Sequence, residues 1–144
     1  MNLFGMLELS GSALGAERQR AEVVASNMAN AQTTRTAAGG PYRRQLVVFQ
    51  ARRVPQFSLA LAGLQRDTSS AVRVAAVVSD QRPPVMRFEP GHPDANAQGY
   101  VAYPQVDPIE EMTDLLGAVR AYELNASAVQ ATKNMITQSL DLLR

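Results

Sequence analysis

All eight prolines of this 144-residue chain lie between Pro41 and Pro108. Proline lacks the backbone N–H, and its ring collides with the preceding helical turn, so helix interiors exclude it. The head and tail are free of that restriction and the middle is not. The expected architecture is therefore α+β. Residues 1–34 and 108–144 form a discontinuous, coiled-coil-like domain of paired terminal helices, and residues 35–107 form a small β-rich middle domain.

The tail carries the clearest helical signal. In "VDPIEEMTDLL", Asp107 suits the N-cap, Pro108 the first helical position and Glu110 the capping-box site. Glu110 and Glu111 also oppose the positive end of the helix dipole. Counting heptads from Met112, the core positions are Met112, Leu115, Val119, Tyr122, Ala126, Val129, Lys133, Ile136, Leu140 and Leu143. Nine of these ten are apolar, which is a coiled-coil pattern. Lys133 is the polar exception, read evenly as a register-setting residue or as a stem that snorkels its amine to water.

The head repeats the theme more weakly. Leu3, Leu7, Leu14, Ala21, Val24, Met28 and Ala31 share one stripe. Gly5, Gly11 and Gly15 each cost about 1 kcal/mol against alanine in a helix interior. Such a helix gains order from a partner, and the tail is the obvious one. It runs into "VASNMANAQTT" (24–34), a stretch of small side chains and amides with no terminating glycine. Asn27 and Asn30, with Asn125 and Asn134 in the tail, allow two readings at this point. They are helix caps and solvated amides, or buried amides that penalise wrong helix registers.

The middle reads as strands and turns. "YRRQLVVFQARR" (42–53) and "AVRVAAVV" (71–78) are rich in β-branched and aromatic residues. "VMRFE" (85–89) and "GYVAY" (99–103) alternate, with the turn-rich "PGHPDANAQG" between them. "SLALAGLQRDTSS" (58–70) suits a short helix or a loop.

The composition excludes several classes of chemistry. There is no cysteine, so no disulfide, thiol nucleophile or Cys-based metal site. The net charge of +1 creates no field to draw nucleic acid. No run of 18 apolar residues exists to span a membrane, and the N-terminus lacks the basic start of a secretory signal. The single histidine, His92 in "GHPD", makes neither a triad nor a zinc site with Asp94 alone. The "GG" at 39–40 lacks a phosphate-binding spacing. The pairs Arg43-Arg44 and Arg52-Arg53 frame the first strand, where each pair splits across the sheet. They are read as solvated or as facing acidic partner surfaces. No catalytic residue, metal or cofactor is expected.

Three segments resemble one family. "SNMANAQTT" (26–34) looks like the asparagine motif that follows the N-terminal helix of bacterial flagellar rod and hook proteins. "IEEMTDLLGAVRAYELNASAVQATKNMITQSLDLL" (109–143) is similar to the family's C-terminal helix, with Glu111-Met112, Arg120, Ala121, Tyr122, Asn125, Lys133 and Met135 on its recurring positions. "GHPDANAQGYVAYPQVDP" (91–108) resembles the segment leading into that helix in a proximal rod protein. The resemblance implies a structural subunit, exported by the flagellar type III apparatus without a cleaved signal. It would polymerise in the periplasm into a hollow, torque-transmitting shaft around the export channel. Its implied partners are copies of itself, other rod proteins, the rod–MS-ring junction protein and, during secretion, the export apparatus. Asn27 and Asn30 would then sit among neighbouring subunits, and the tail stripe would serve assembly. A different reading is a helical-hairpin adaptor or an inner-rod or needle-type subunit of a related secretion system.

Overall fold

The structure, a computed structural model, describes residues 3–53 and 70–142. Two long helices bracket four strands. Helix α1 spans Leu3–Ala29 and helix α2 spans Pro108–Asp141. At 1.5 Å per residue they run roughly 40 and 50 Å. Between them lie β1 (Gln45–Arg53), β2 (Ser70–Ser79), β3 (Val85–Phe88) and β4 (Tyr100–Tyr103). The chain is thus α+β, with long terminal helices around a small β middle. None of the described helices is long and apolar enough to cross a membrane.

Helix α2 starts as its sequence dictates. The Asp107 carboxylate accepts the Ile109 N–H at 2.9 Å, and the Asp107 carbonyl accepts the first helical bond from Glu111 at 3.0 Å. Helix α1 ends after Ala29, inside the asparagine stretch 24–34. It stops without a left-handed residue, since no described non-glycine residue has positive φ. Asn30 does the capping instead. Its side-chain amide and its backbone N–H both go to the Ser26 carbonyl, at 2.9 and 3.1 Å.

The strands form two antiparallel ribbons, β1 with β2 and β3 with β4. In the first, Asp80 N–H donates to the Arg44 carbonyl at 2.7 Å, and further along Arg73 donates to Gln50. In the second, Val85 faces Tyr103 and Phe88 faces Tyr100. The segment 58–69, ambiguous in sequence, lies outside the described residues. Ser70 opens β2.

The "GG" pair belongs to a turn. Gly39 and Gly40 take φ of +84° and +75°, and the Gly40 carbonyl accepts Thr36 N–H at 2.8 Å. Gly99 is under stronger constraint. Its φ is +81°, and a Cβ there would lie 2.8 Å from Phe88 Cε2. Gly99→Ala should therefore loosen the β3–β4 hairpin by about 1–3 kcal/mol. The readout is hydrogen exchange at the Glu89 amide, which donates to the Gly99 carbonyl. Unchanged exchange there would refute the constraint.

Packing divides the chain into two compact units, each mixing helix and strand. One comprises Met1–Gln19, Phe49–Ala75 and Ala118–Arg144. In it, Ala16 and Ala118 are buried, and Ser12 Oγ accepts Val72 N–H at 3.0 Å. The other comprises Arg20–Val48 and Ala76–Gly117, with Val24 and Val101 in its core. Here α1 and α2 meet through Arg20–Asp114 (3.3 Å) and Asn27–Glu111 (2.9 Å). The partner moves back along α2 as α1 advances, so the helices are antiparallel where they touch.

Candidate functional site

The second unit is organised around a buried polar cluster that lies in the same core as Val24 and Val101. The last full turn of α1 carries Asn27 inward, 1% exposed. Its amide satisfies all four of its hydrogen-bonding positions. Nδ2 donates to the Gln45 carbonyl at 2.8 Å and to Glu111 Oε2 at 2.9 Å. Oδ1 accepts Gln45 N–H and the Tyr42 hydroxyl, both at 2.9 Å. A primary amide has two donors and two lone pairs, so nothing is left over. Toward Gln45 it behaves as a neighbouring strand would, taking both backbone groups at the start of β1. It thereby protects an edge that would otherwise be open.

Glu111 is the second member. It sits in the first turns of α2, where the helix dipole favours an anion. It is fully buried and accepts Arg44 Nε at 2.5 Å. Arg44 is 7% exposed and also approaches Glu110 at 3.3 Å and Asp114 at 3.8 Å. Burial alone would weaken its charge. The hydrogen bond and attraction of Glu111, with Glu110 and Asp114 behind it, outweigh that and raise its pKa above the ordinary value. An ion pair taken from water is costly to form, but removing one partner costs about 3–5 kcal/mol because the other charge is orphaned.

The rest of the asparagine stretch is fastened residue by residue. Asn30 Oδ1 accepts the Thr33 hydroxyl at 3.2 Å, and the Thr33 carbonyl accepts Tyr42 N–H at 3.0 Å. The Thr34 hydroxyl donates to Asp94 at 2.8 Å. Within this chain Asn27 is thus a core amide and Asn30 a helix cap.

Two readings of the sequence need correction here. Arg44 is not a surface cation: it splits from the exposed Arg43 to become half of a buried ion pair. Arg43 donates to Gln81 at 3.0 Å. The side chains of Arg52 and Arg53 lie outside the described residues. The inward line of α2 is also rotated from the heptad count. Leu115, Val129 and Ile136 are half-buried, whereas Met112, Val119, Tyr122, Lys133 and Leu140 are exposed. Glu111, Ala118 and Thr132 are buried instead, with Asn125 half-buried. Glu111 is satisfied by the distant Arg44 and Asn27, while the other polar residues of this inward set have local solutions. Thr132 Oγ1 donates to the Ala128 carbonyl and Asn125 Nδ2 to the Ala121 carbonyl, both at 2.8 Å. Residues that bond back to the preceding turn can be buried, and a count of apolar positions misses them.

Among the described residues, no group of three or more His, Asp or Glu could hold a metal ion. His92 Nδ1 accepts Asp94 N–H at 3.1 Å, and its ring meets Tyr103 edge-on at 6.3 Å. These are turn-stabilising contacts. His92→Ala should leave motility within about twofold of wild type, as a surface change away from buried features does. A non-motile strain with normal protein level would restore a site reading for the loop.

Comparison with known proteins meets this geometry at both ends. Residues 7–35 match the family described as flagella basal body rod protein. Residues 97–142 match the flagellar basal body rod FlgEFG protein C-terminal family. The flagellar basal-body rod protein FlgC of Bacillus subtilis (strain 168) is 40% identical over 149 residues, covering 99% of each chain. The chain belongs to the FlgC family of flagellar basal-body rod proteins. The FlgC of Borreliella burgdorferi is 34% identical, covering 100% of this chain and 99% of its own. That of Salmonella typhimurium is 37% identical, covering 99% and 98%. The two matched spans hold Asn27, Asn30 and Glu111, while Arg44 falls between them. In this FlgC-family chain, the carboxylate and amide of the buried cluster thus come from the recognisable ends, and the cation comes from the middle.

Proposed function

We propose that this chain is a structural subunit of the proximal rod of the bacterial flagellar basal body. It polymerises into the hollow shaft that transmits torque and encloses the export channel. Full-length kinship with FlgC proteins carries this reading. The surface supports it. Met112, Leu116, Val119 and Leu140 are all more than two-fifths exposed along α2, and contiguous uncovered apolar area calls for a neighbour. A shaft grows by heterologous contacts that do not close into a ring.

In this reading the tail residues divide their work. Leu115, Val129, Ile136 and Asn125 face the subunit's own interior. Met112, Val119, Tyr122, Lys133 and Leu140 face adjoining subunits, as the paired helical domain (1–34 with 108–144) packs lengthwise beside its neighbours. Residues 35–107 add lateral contacts. The partners are copies of the chain, other rod proteins and the rod–MS-ring junction protein. The export apparatus is met only in transit, and the chain reaches the periplasm without a cleaved signal. The role is structural, with no enzymatic step and no cofactor.

The test is genetic and visual. Deleting the gene should give cells without complete rods, and expression in trans should restore them. Complete rods in purified basal bodies of the deletion strain would overturn the proposal.

A further inference from the structure

The buried cluster is assembled from residues far apart in the chain. Glu111 follows Asn27 by 84 residues and Arg44 by 67. Among the described residues, every carboxylate within 4 Å of Arg44 comes from the first two turns of α2: Glu110, Glu111 and Asp114. The nearby Asp80 is engaged elsewhere, its carboxylate 2.6 Å from Arg82 Nε. Asn27 finds three of its partners, Tyr42 OH, Gln45 N and Gln45 O, within 18 residues. Its fourth is Glu111. Thr34 likewise waits for Asp94, 60 residues on.

We infer that Glu111 is a folding gate: residues 20–48 order only when the tail carboxylate arrives to pair with Arg44 and complete the bonds of Asn27. A chain made and threaded from its N-terminus presents Asn27 and Arg44 first. Closing the junction then would bury a guanidinium with no anion and leave an amide hydrogen unpaired. The segment stays open until residues 107–114 emerge. Then one side chain satisfies both groups, and the end of α1, the start of β1 and the start of α2 lock together. Delayed closure suits a subunit passed unfolded through a narrow channel, and for that use alone the inference rests on the rod reading. The fully buried Glu111 is thus a positioning residue, distinct from the exposed apolar face of α2 that meets neighbours.

The test is hydrogen exchange on the isolated full-length protein, read at the Gln45 and Tyr42 amides. These donate to Asn27 Oδ1 and to the Thr33 carbonyl. Wild type should protect both. Glu111→Gln keeps the shape and removes the charge, and should speed exchange there by about tenfold or more. Glu110→Gln removes a neighbouring acid that is half exposed, and should change it by less than about threefold. Arg44→Met added to Glu111→Gln removes the orphaned cation and should recover much of the protection. Absence of protection in wild type would overturn the gate. So would wild-type exchange in Glu111→Gln, or a double variant as fast as the single one. The measurement is independent of motility, so a failed complementation, which would sink the rod reading, leaves it standing.

Discussion

Asn27→Leu should abolish rod formation, while Asn30→Leu should only reduce it. Leucine is a better helix former than asparagine and similar in size, so a solvated amide would tolerate the change. Asn27 is not solvated. Its loss deprives Gln45 N–H, the Gln45 carbonyl, the Tyr42 hydroxyl and Glu111 of one partner each. Hydrogen bonds are worth about 1 kcal/mol net, and each buried group left unpaired costs a further 1–3 kcal/mol. Glu111 keeps Arg44 and the Tyr42 hydroxyl keeps Ser26 Oγ at 3.5 Å, so the cost falls chiefly on the two Gln45 groups; that still takes several kcal/mol from a small domain, for which a few kcal/mol decides between folded and unfolded. Asn30 bonds Ser26 and Thr33 at a half-buried helix end, and its loss costs about 1 kcal/mol. The two strains are compared by confirming export and counting basal bodies by electron microscopy. Equal rod numbers would show that Asn27 does not hold the junction.

Leu115→Asp and Val119→Asp should both stop motility, for different reasons that are separable in the purified protein. Leu115 is half-buried and faces the chain's own interior. A carboxylate there destabilises the subunit by about 2 kcal/mol or more, and unfolding should shift accordingly. Val119 is 43% exposed in the single chain, so its aspartate variant should unfold like wild type within about 0.5 kcal/mol. Its defect appears only where a neighbour covers the site: rods absent, subunit intact. Urea unfolding of both proteins beside motility of both strains checks this. A motile Val119→Asp strain would remove the outer face of α2 from the assembly surface. An unaltered unfolding curve for Leu115→Asp would show that the inward line is misplaced.

The sequence by itself determined the frame. Among the described residues the helices lie at the ends, as proline placement dictates, because a missing N–H and a steric clash act locally wherever the residue stands. The Asp107–Pro108 start of α2 and the alternating β3 and β4 were legible for the same reason: caps and strand periodicity are short-range properties. The relationship to rod proteins was legible too, since the motifs that carry it are contiguous.

What only the tertiary structure decided was polar and long-range. Arg44 looked like any exposed arginine of a basic pair, and Glu111 like a helix-dipole acid. Nothing local reveals that the two meet at 2.5 Å across 67 residues, or that Asn27 bridges them to β1. The rotation of the α2 seam was hidden by the same limit. A hydrophobic count assigns charged and polar residues to water, yet Glu111 and Thr132 are buried because a partner or a preceding carbonyl satisfies them. Whether a polar group can be buried depends on what reaches it, and that is fixed by the folded arrangement rather than by the residue's own chemistry.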